Sequence, residues 1–331
     1  MKEYALNMHK LPVGVLGASG YAGHELCRLA DRHPHFELVF AAAHSRAGET
    51  LRLPGRDLTL APVDAVPLAD AAIVFSALPH GASALWVARA QAAGAKVIDL
   101  SSDLRPGQGD QAMPDIDAPY GLPELNRDAI RTAQIVANPG CYATATLLGL
   151  LPLIARDLLV PGSAVVVDAA SGVTGAGNAP RPDLLFGEVT EDFRAYGVGN
   201  THRHLGEMRA TLDAHGADVD LLFTPHLLPV ARGLLATITV TLREALADPA
   251  ALFRTHYAVE PFVEIATAPP RLRDVVHRNA VRIFVTPVQH VRTPTYQIFV
   301  AIDNLVKGAA GQAIQNANLL ADLDETTGLP L

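Results

Sequence analysis

Apolar positions in the first third of the chain fall into short runs separated by polar, helix-spaced stretches. Val13, Val15 and Leu16 form a run that stops at glycine, as a buried parallel strand does, and Leu26, Leu29 and Ala30 then recur at helical spacing. Residues 36–43, 71–78 and 96–102 give three further strand runs, with a helical stretch at 82–93 before the last. Strand alternating with helix predicts an α/β domain with a parallel sheet covered on both faces.

The pattern changes beyond residue 137. Residues 137–157 start as a turn and continue as a helix, and 164–172 read as a strand ending in a glycine-rich loop. Later runs at 221–229, 233–242, 281–290 and 295–303 are β-branched and closely spaced, with one helix at about 249–258. This predicts an α+β domain with a mostly antiparallel sheet. Residues 308–323 return to helical spacing, and the first ten residues read as a short extension.

Composition sharpens this picture. With 331 residues, 49% hydrophobic and 18% charged, the chain can bury two domain cores, which excludes disorder as the dominant state. The formal charge of −8 lacks the basic excess of a general nucleic-acid binder, so any phosphate must be gripped by local arginines. Two cysteines, Cys27 and Cys141, make no disulfide framework, and without CxxC or HExxH no metal site is expected. No apolar run reaches the roughly 20 residues of a membrane span, and the first residues lack the apolar stretch of a signal peptide. A soluble cytoplasmic protein is expected.

Gly17, Gly20 and Gly23 stand as GxxGxxG between a strand and a helix, where backbone N–H groups and the helix dipole suit a pyrophosphate. The second strand runs out into His44-Ser45-Arg46 with no acidic residue for a ribose 2′-OH. Ser45 and Arg46 instead suit a 2′-phosphate, which favours NADP over NAD; the plainer reading of Arg46 is a solvated loop residue. Cys141 follows Asn138-Pro139-Gly140 and precedes a helical run, which places it at a helix N-terminus. That placement favours the thiolate, and neighbouring N–H groups there suit an oxyanion. The alternative is a small buried hydrophobe, as Cys27 beside Leu26 and Leu29 is read to be.

The motifs GASGYAG, SALPHG, IDLSSDLR, YGLPELN, ANPGCYATA, SGVTGAG, THRHLGE, FTPHLLPVARG and IDNLVKGAAGQAIQNAN occur in this order. Together, from about residue 12 to 329, they make the chain resemble the N-acetyl-gamma-glutamyl-phosphate reductase family. NPGCYAT and DNLVKGAAGQA carry most of the specificity. The resemblance implies a Rossmann-type NADP-binding domain (1–140 with a returning helix in 305–331) and a semialdehyde-dehydrogenase-like catalytic and dimerisation domain (141–304). It implies NADPH-dependent reduction of an acyl phosphate, N-acetyl-L-glutamyl 5-phosphate, through a cysteine thioester, and a homo-oligomer, dimer or tetramer. The sequence departs from the family in a short segment at 106–119, in DLSSDLR, and in the Leu-Gly pair of HRHLGE. A carrier-protein-linked aminoadipyl-phosphate reductase and a non-catalytic NADP-binding sensor are the alternatives.

On this reading Cys141 is the nucleophile and His204 the acid–base group, with His202 as its alternative and Glu207 orienting the ring from one helical turn away. The cofactor side is expected to comprise Gly17, Ser19, Gly20, Tyr21, Ala22, Ser45, Arg46, Leu78, Pro79, His80, Ser171, Gly172 and Asn304. Asn304 suits either a nicotinamide amide or a turn cap. Arg105, Asn138, Arg203 and Arg232 are the expected substrate contacts, the arginines because guanidinium pairs bidentately with phosphate or carboxylate.

Overall fold

A computed structural model provides the structure, which describes residues 10–107 and 116–331. Residues 1–9 of the expected extension, and residues 108–115 of the short segment noted above, lie outside the described residues.

The first sheet is built from β1 (Leu11–Leu16), β2 (Phe36–Ala43), β5 (Ala61–Pro62), β6 (Ile73–Ser76), β7 (Lys96–Asp99) and β8 (Ile135–Ala137). A small hairpin of β3 (Thr50–Arg52) and β4 (Asp57–Thr59) stands apart from it. The strand order is β5-β2-β1-β6-β7-β8 and every pairing is parallel. Parallel strands covered on both faces need continuous apolar runs, and β6 and β8 are buried along their whole length. Helices α1 (Tyr21–Arg32), α2 (Ser83–Ala92) and α3 (Pro123–Thr132) connect them.

The second sheet has the order β10-β11-β9-β12-β15-β14-β13. Its strands are β9 (Ser163–Gly172), β10 (Arg194–Ala195), β11 (Val219–Leu228), β12 (Leu234–Thr241), β13 (Val263–Ile265), β14 (Val281–Pro287) and β15 (Thr295–Ile302). Four of its six pairings are antiparallel; β9 with β11 and β13 with β14 are parallel. On β12 the buried Leu234, Ala236, Ile238 and Val240 alternate with partly exposed positions, the period-2 signature of a sheet packed on one face. The covering helix is α4 (Cys141–Ile154), apolar on every side and buried from Tyr142 to Leu153, as a central core helix must be. Shorter helices α5 (Phe186–Val189), α6 (His204–Ala214) and α7 (Pro249–His256) surround this layer.

After β15 the chain passes through a π-turn (Val306–Ala310) into α8 (Gly311–Leu320). Ala313, Ile314 and Ala317 of α8 share one core cluster with Val13, Leu26, Ile98 and Val136, so the C-terminal helix packs against the first sheet. Helix α4 therefore starts where the carboxyl ends of the parallel strands meet the second sheet, the region where α/β folds gather ligands.

Candidate active site

Strand β8 ends at Ala137, Asn138-Pro139-Gly140 turns the chain, and Cys141 is the first residue of α4. The helix-end placement is as expected, but the thiol does not become more acidic. Burial dominates and pushes it up to about 11; Arg203, a hydrogen bond from the Tyr142 backbone and Arg105 pull it down, while Glu207 opposes them. The sequence shows the helix end but not the desolvation that outweighs it. Burial therefore favours the neutral thiol of Cys141.

Helix α6 faces this turn. His204 is its first residue, and its ring edge lies directly over Gly140. A β-carbon at Gly140 would stand 2.5 Å from His204 Cε1 and Nε2, and 2.6 Å from Glu207 Oε1, so only glycine admits the ring there. His204 is buried and its Nδ1 has no hydrogen-bond partner among the described residues. Burial, reinforced by Arg105, His202 and Arg203, holds the imidazole well below its ordinary pKa, so it is neutral and a weak base. His202 is arranged differently: its Nδ1 accepts the His204 backbone N–H at 3.1 Å. Its ring packs edge-on against Tyr142, Tyr196 and Phe223, and burial lowers its pKa to about 4.

Glu207, fully buried, ties the cluster together. One oxygen accepts the Tyr120 hydroxyl at 2.8 Å and the Gly140 N–H at 3.1 Å; the other accepts Arg105 Nη1 at 3.1 Å and lies 3.9 Å from His204 Nε2. The Gly140 N–H is thus committed to Glu207 and is withdrawn from any oxyanion role. Tyr120 carries no signal in the sequence beyond the YGLPELN motif that contains it.

The expected anion ligands separate into two groups. Among the described residues Arg203 has no ion-pair or hydrogen-bond partner, yet it is the leading cation acting on Cys141 and lies within electrostatic range of Arg105 and His80. Arg105 is 5% exposed and three of its N–H groups are spent on Asn138 O, Glu207 and Leu100 O, so it is chiefly framework. Asn138 is wholly buried, its amide bonded to Ala309 O and Asn316 in place of a substrate. Arg232 pairs with Glu25 of α1 and with Asp303, so it seals the seam between the two sheets' units instead of reaching toward the thiol.

Gly17 has φ +79, and a β-carbon there would meet Ala77 O at 2.3 Å, so the turn requires glycine. Gly20 caps α1 with no side-chain bond, which leaves first-turn N–H groups of Tyr21 and Ala22 without a side-chain partner. These donors fit a dinucleotide pyrophosphate. Asn178, from the loop after β9, donates to Ser19 O and brings the second unit onto this loop. Leu78 and Pro79 lead from β6 to His80, whose Nδ1 accepts both the N–H and hydroxyl of Ser102 at 2.8 Å. Its pKa falls to about 4, through burial and then Arg203 and Arg105. Ser45 and Arg46 are exposed beyond β2, with Arg46 bonded to Glu49. Ser171 and Gly172 end β9 against the Ala231 backbone. Asn304 accepts Gly233 N–H at 2.8 Å and donates to Thr174 at 2.9 Å. Its amide clips two loops, in line with the turn-capping alternative, in place of a free nicotinamide contact.

Residues 12–133 match the family model described as "Semialdehyde dehydrogenase, NAD binding domain", and residues 141–304 match "Semialdehyde dehydrogenase, dimerisation domain". A protein of Laribacter hongkongensis named N-acetyl-gamma-glutamyl-phosphate reductase is 43% identical, covering 97% of this chain and 98% of its own. One of the same name from Desulforudis audaxviator is 42% identical, with 96% and 98% covered. Among solved structures, aspartate semialdehyde dehydrogenase II from Vibrio cholerae, complexed with ASA, superposes with a TM-score of 0.76 at 22% identity over 95% of this chain and 99% of that one. An aspartate semialdehyde dehydrogenase with NADP from Candida albicans gives 0.69 at 17% identity, covering 94% and 98%. These two show the fold, a Rossmann-like parallel sheet joined to a mixed, mostly antiparallel one.

Proposed function

The chain belongs to the N-acetyl-gamma-glutamyl-phosphate reductase family of semialdehyde dehydrogenases, and from that premise we propose that it reduces N-acetyl-L-glutamyl 5-phosphate to N-acetyl-L-glutamate 5-semialdehyde with release of phosphate, using NADPH. The observation that carries this reading is a half-buried thiol at the start of α4, a neutral buried imidazole over the preceding Gly140, and an arginine, without a partner among the described residues, that acts electrostatically on the thiol.

Cys141 gives its proton to His204, and the sulfur attacks the acyl-phosphate carbonyl carbon; the bond to phosphate breaks and a thioester remains. Splitting acyl transfer and reduction into two steps is the gain from covalent catalysis. Arg203 supplies the positive charge for the phosphate or the substrate carboxylate. NADPH, when bound, supplies the hydride that reduces the thioester carbonyl. His204 then returns the proton to sulfur as the carbon–sulfur bond breaks and the aldehyde leaves. Glu207 acts throughout by holding Gly140, Arg105 and the ring edge of His204 in one arrangement. The Gly17–Ala22 loop would hold the pyrophosphate, Arg46 the 2′-phosphate, and His80 a position at the mouth of the cleft.

The free thiols of Cys27 and Cys141 support a cytoplasmic setting, where thiols stay reduced. Among the described residues no helix is long and apolar enough to cross a membrane. Exposed Leu185, Phe186, Phe193, Val198 and Leu222 support self-association through the second unit, as a dimer or tetramer. The deciding experiment is the reverse reaction: NADP+ reduction with N-acetylglutamate semialdehyde requires added phosphate and is abolished in Cys141→Ala. Turnover without phosphate, or wild-type turnover in Cys141→Ser, defeats the proposal.

A further inference from the structure

Lys307 is 0% exposed and lies in the π-turn between β15 and α8, away from the groups assigned to chemistry above. Its ammonium donates to Glu124 Oε1 at 2.6 Å and to Gln315 Oε1 at 2.8 Å, and sits over the Phe262 ring at 5.6 Å. Glu124 lies in the first turn of α3, where Pro123 opens the helix. The network continues outward: Gln315 donates to Glu325, and Arg127, also on α3, bonds both Glu325 and Glu260. A buried charge pair of this kind is costly to desolvate and is weak evidence for stability, so its presence calls for a use.

The π-turn supplies one. This turn is π-helical, a conformation that is rare and concentrates at functional sites. The residue after Lys307 is Gly308, where a β-carbon would stand 2.7 Å from Cys141 Cβ. The next, Ala309, accepts the side-chain N–H of Asn138, which belongs to the turn that leads into Cys141. The π-turn is therefore the wall against which the nucleophile rests, and Lys307 is the residue that anchors that wall to α3 and α8.

We propose that Lys307 is a positioning residue for Cys141: its buried bonds to Glu124 and Gln315 hold the π-turn so that Gly308 packs on the cysteine and fixes the sulfur's direction. This rests on the reading of Cys141 as the nucleophile. Lys307 touches no reacting atom, and its effect falls on the thiol's placement and not on ligand affinity.

The test uses the full chain. Lys307→Met combined with Glu124→Gln removes both charges so that neither is left buried alone. Glu124→Asp keeps both charges and shortens the anchor by one methylene, which protects the test should the double variant fail to fold. Two quantities are read: the rate of Cys141 alkylation by iodoacetamide, mapped by mass spectrometry with buried Cys27 as reference, and kcat and KM for phosphate-dependent NADP+ reduction. The folded double variant is expected to alkylate about tenfold more slowly and to lose about 10²-fold in kcat, the cost of a roughly 1 Å misplacement, with KM for semialdehyde and phosphate changed by less than about threefold. Glu124→Asp is expected to show a smaller loss of the same kind. Wild-type alkylation and kcat in a folded variant overturn the proposal. Slowed alkylation with unchanged turnover upholds the positioning role and removes Cys141 as the nucleophile.

Discussion

The backbone N–H of Gly140 donates to the Glu207 carboxylate at 3.1 Å, joining the residue before Cys141 to the helix that carries His204. Tyr120 and Arg105 converge on the same carboxylate, which is itself fully buried. Removing it strands two buried donors and one buried guanidinium. Glu207→Ala is expected to cost about 3–5 kcal/mol of stability, the range for breaking a buried ion pair from one side. Urea unfolding checks this, and a loss under about 1 kcal/mol would mean that water replaces the carboxylate at little cost.

Arg203 is the foremost group pulling the Cys141 thiol down against burial, which pushes it up to about 11. A cation near sulfur favours thiolate, so its removal raises the thiol pKa further. Arg203→Met should therefore shift the pH midpoint of Cys141 alkylation upward from about 11 and slow alkylation at any pH below it. The same variant is expected to raise KM for phosphate about tenfold, the loss of a charge-assisted contact. A midpoint that stays in place would disconnect the guanidinium from the sulfur.

Arg46 is exposed beyond β2 and, among the described residues, bonded only to Glu49, a loop partner equally exposed. Nothing in that geometry prevents it from pairing with a 2′-phosphate. Arg46→Ala is expected to weaken NADP+ about tenfold and to leave NAD+ unchanged, measured as two dissociation constants by fluorescence. Equal weakening of both would remove Arg46 as the reader of the 2′-phosphate.

Much of this site is legible in the sequence because its signals are local. The run 36–43 is apolar and bounded, and β2 occupies the same residues. Asn138-Pro139-Gly140 can only be a turn, and α4 starts directly after it. Other parts carry no local signal. Strand β8 is three residues long, and α3 buries only Pro123 and Ile130, so neither shows a readable period. Tyr120 reaches Glu207 across 87 positions of sequence. Asn304, Arg232 and Asn138 are residue types suited to ligands, but their polar atoms are engaged by distant parts of the chain, which only the tertiary structure decides. The acidity of Cys141 is illegible for the same reason: helix-end donors are visible in sequence, whereas the burial that outweighs them is not.

His33, at the end of α1, is buried with its Nε2 3.0 Å from both Asn318 Oδ1 and Thr327 O. Two acceptors there place the proton on Nε2. Nδ1 accepts the His35 N–H at 3.2 Å, so a second proton has no place. Its ring stacks on Phe36 at 3.8 Å and pins the C-terminal tail beneath α8. Burial, opposed by these two bonds, lowers its pKa from 6.5 to about 4. Because the folded value is depressed, the unfolded chain binds the proton first. Stability from this residue is complete above pH 6.5, falls as the pH drops from 6.5 to about 4, and falls no further below. The full effect is roughly 3 kcal/mol, from 1.36 kcal/mol for each unit of pKa. His33→Gln should be less stable than wild type at neutral pH but show a shallower decline across that window. Denaturant unfolding at half-unit pH steps gives both curves, and parallel slopes would show that acid sensitivity arises elsewhere, with His80 and His202, also lowered to about 4, the first groups to test.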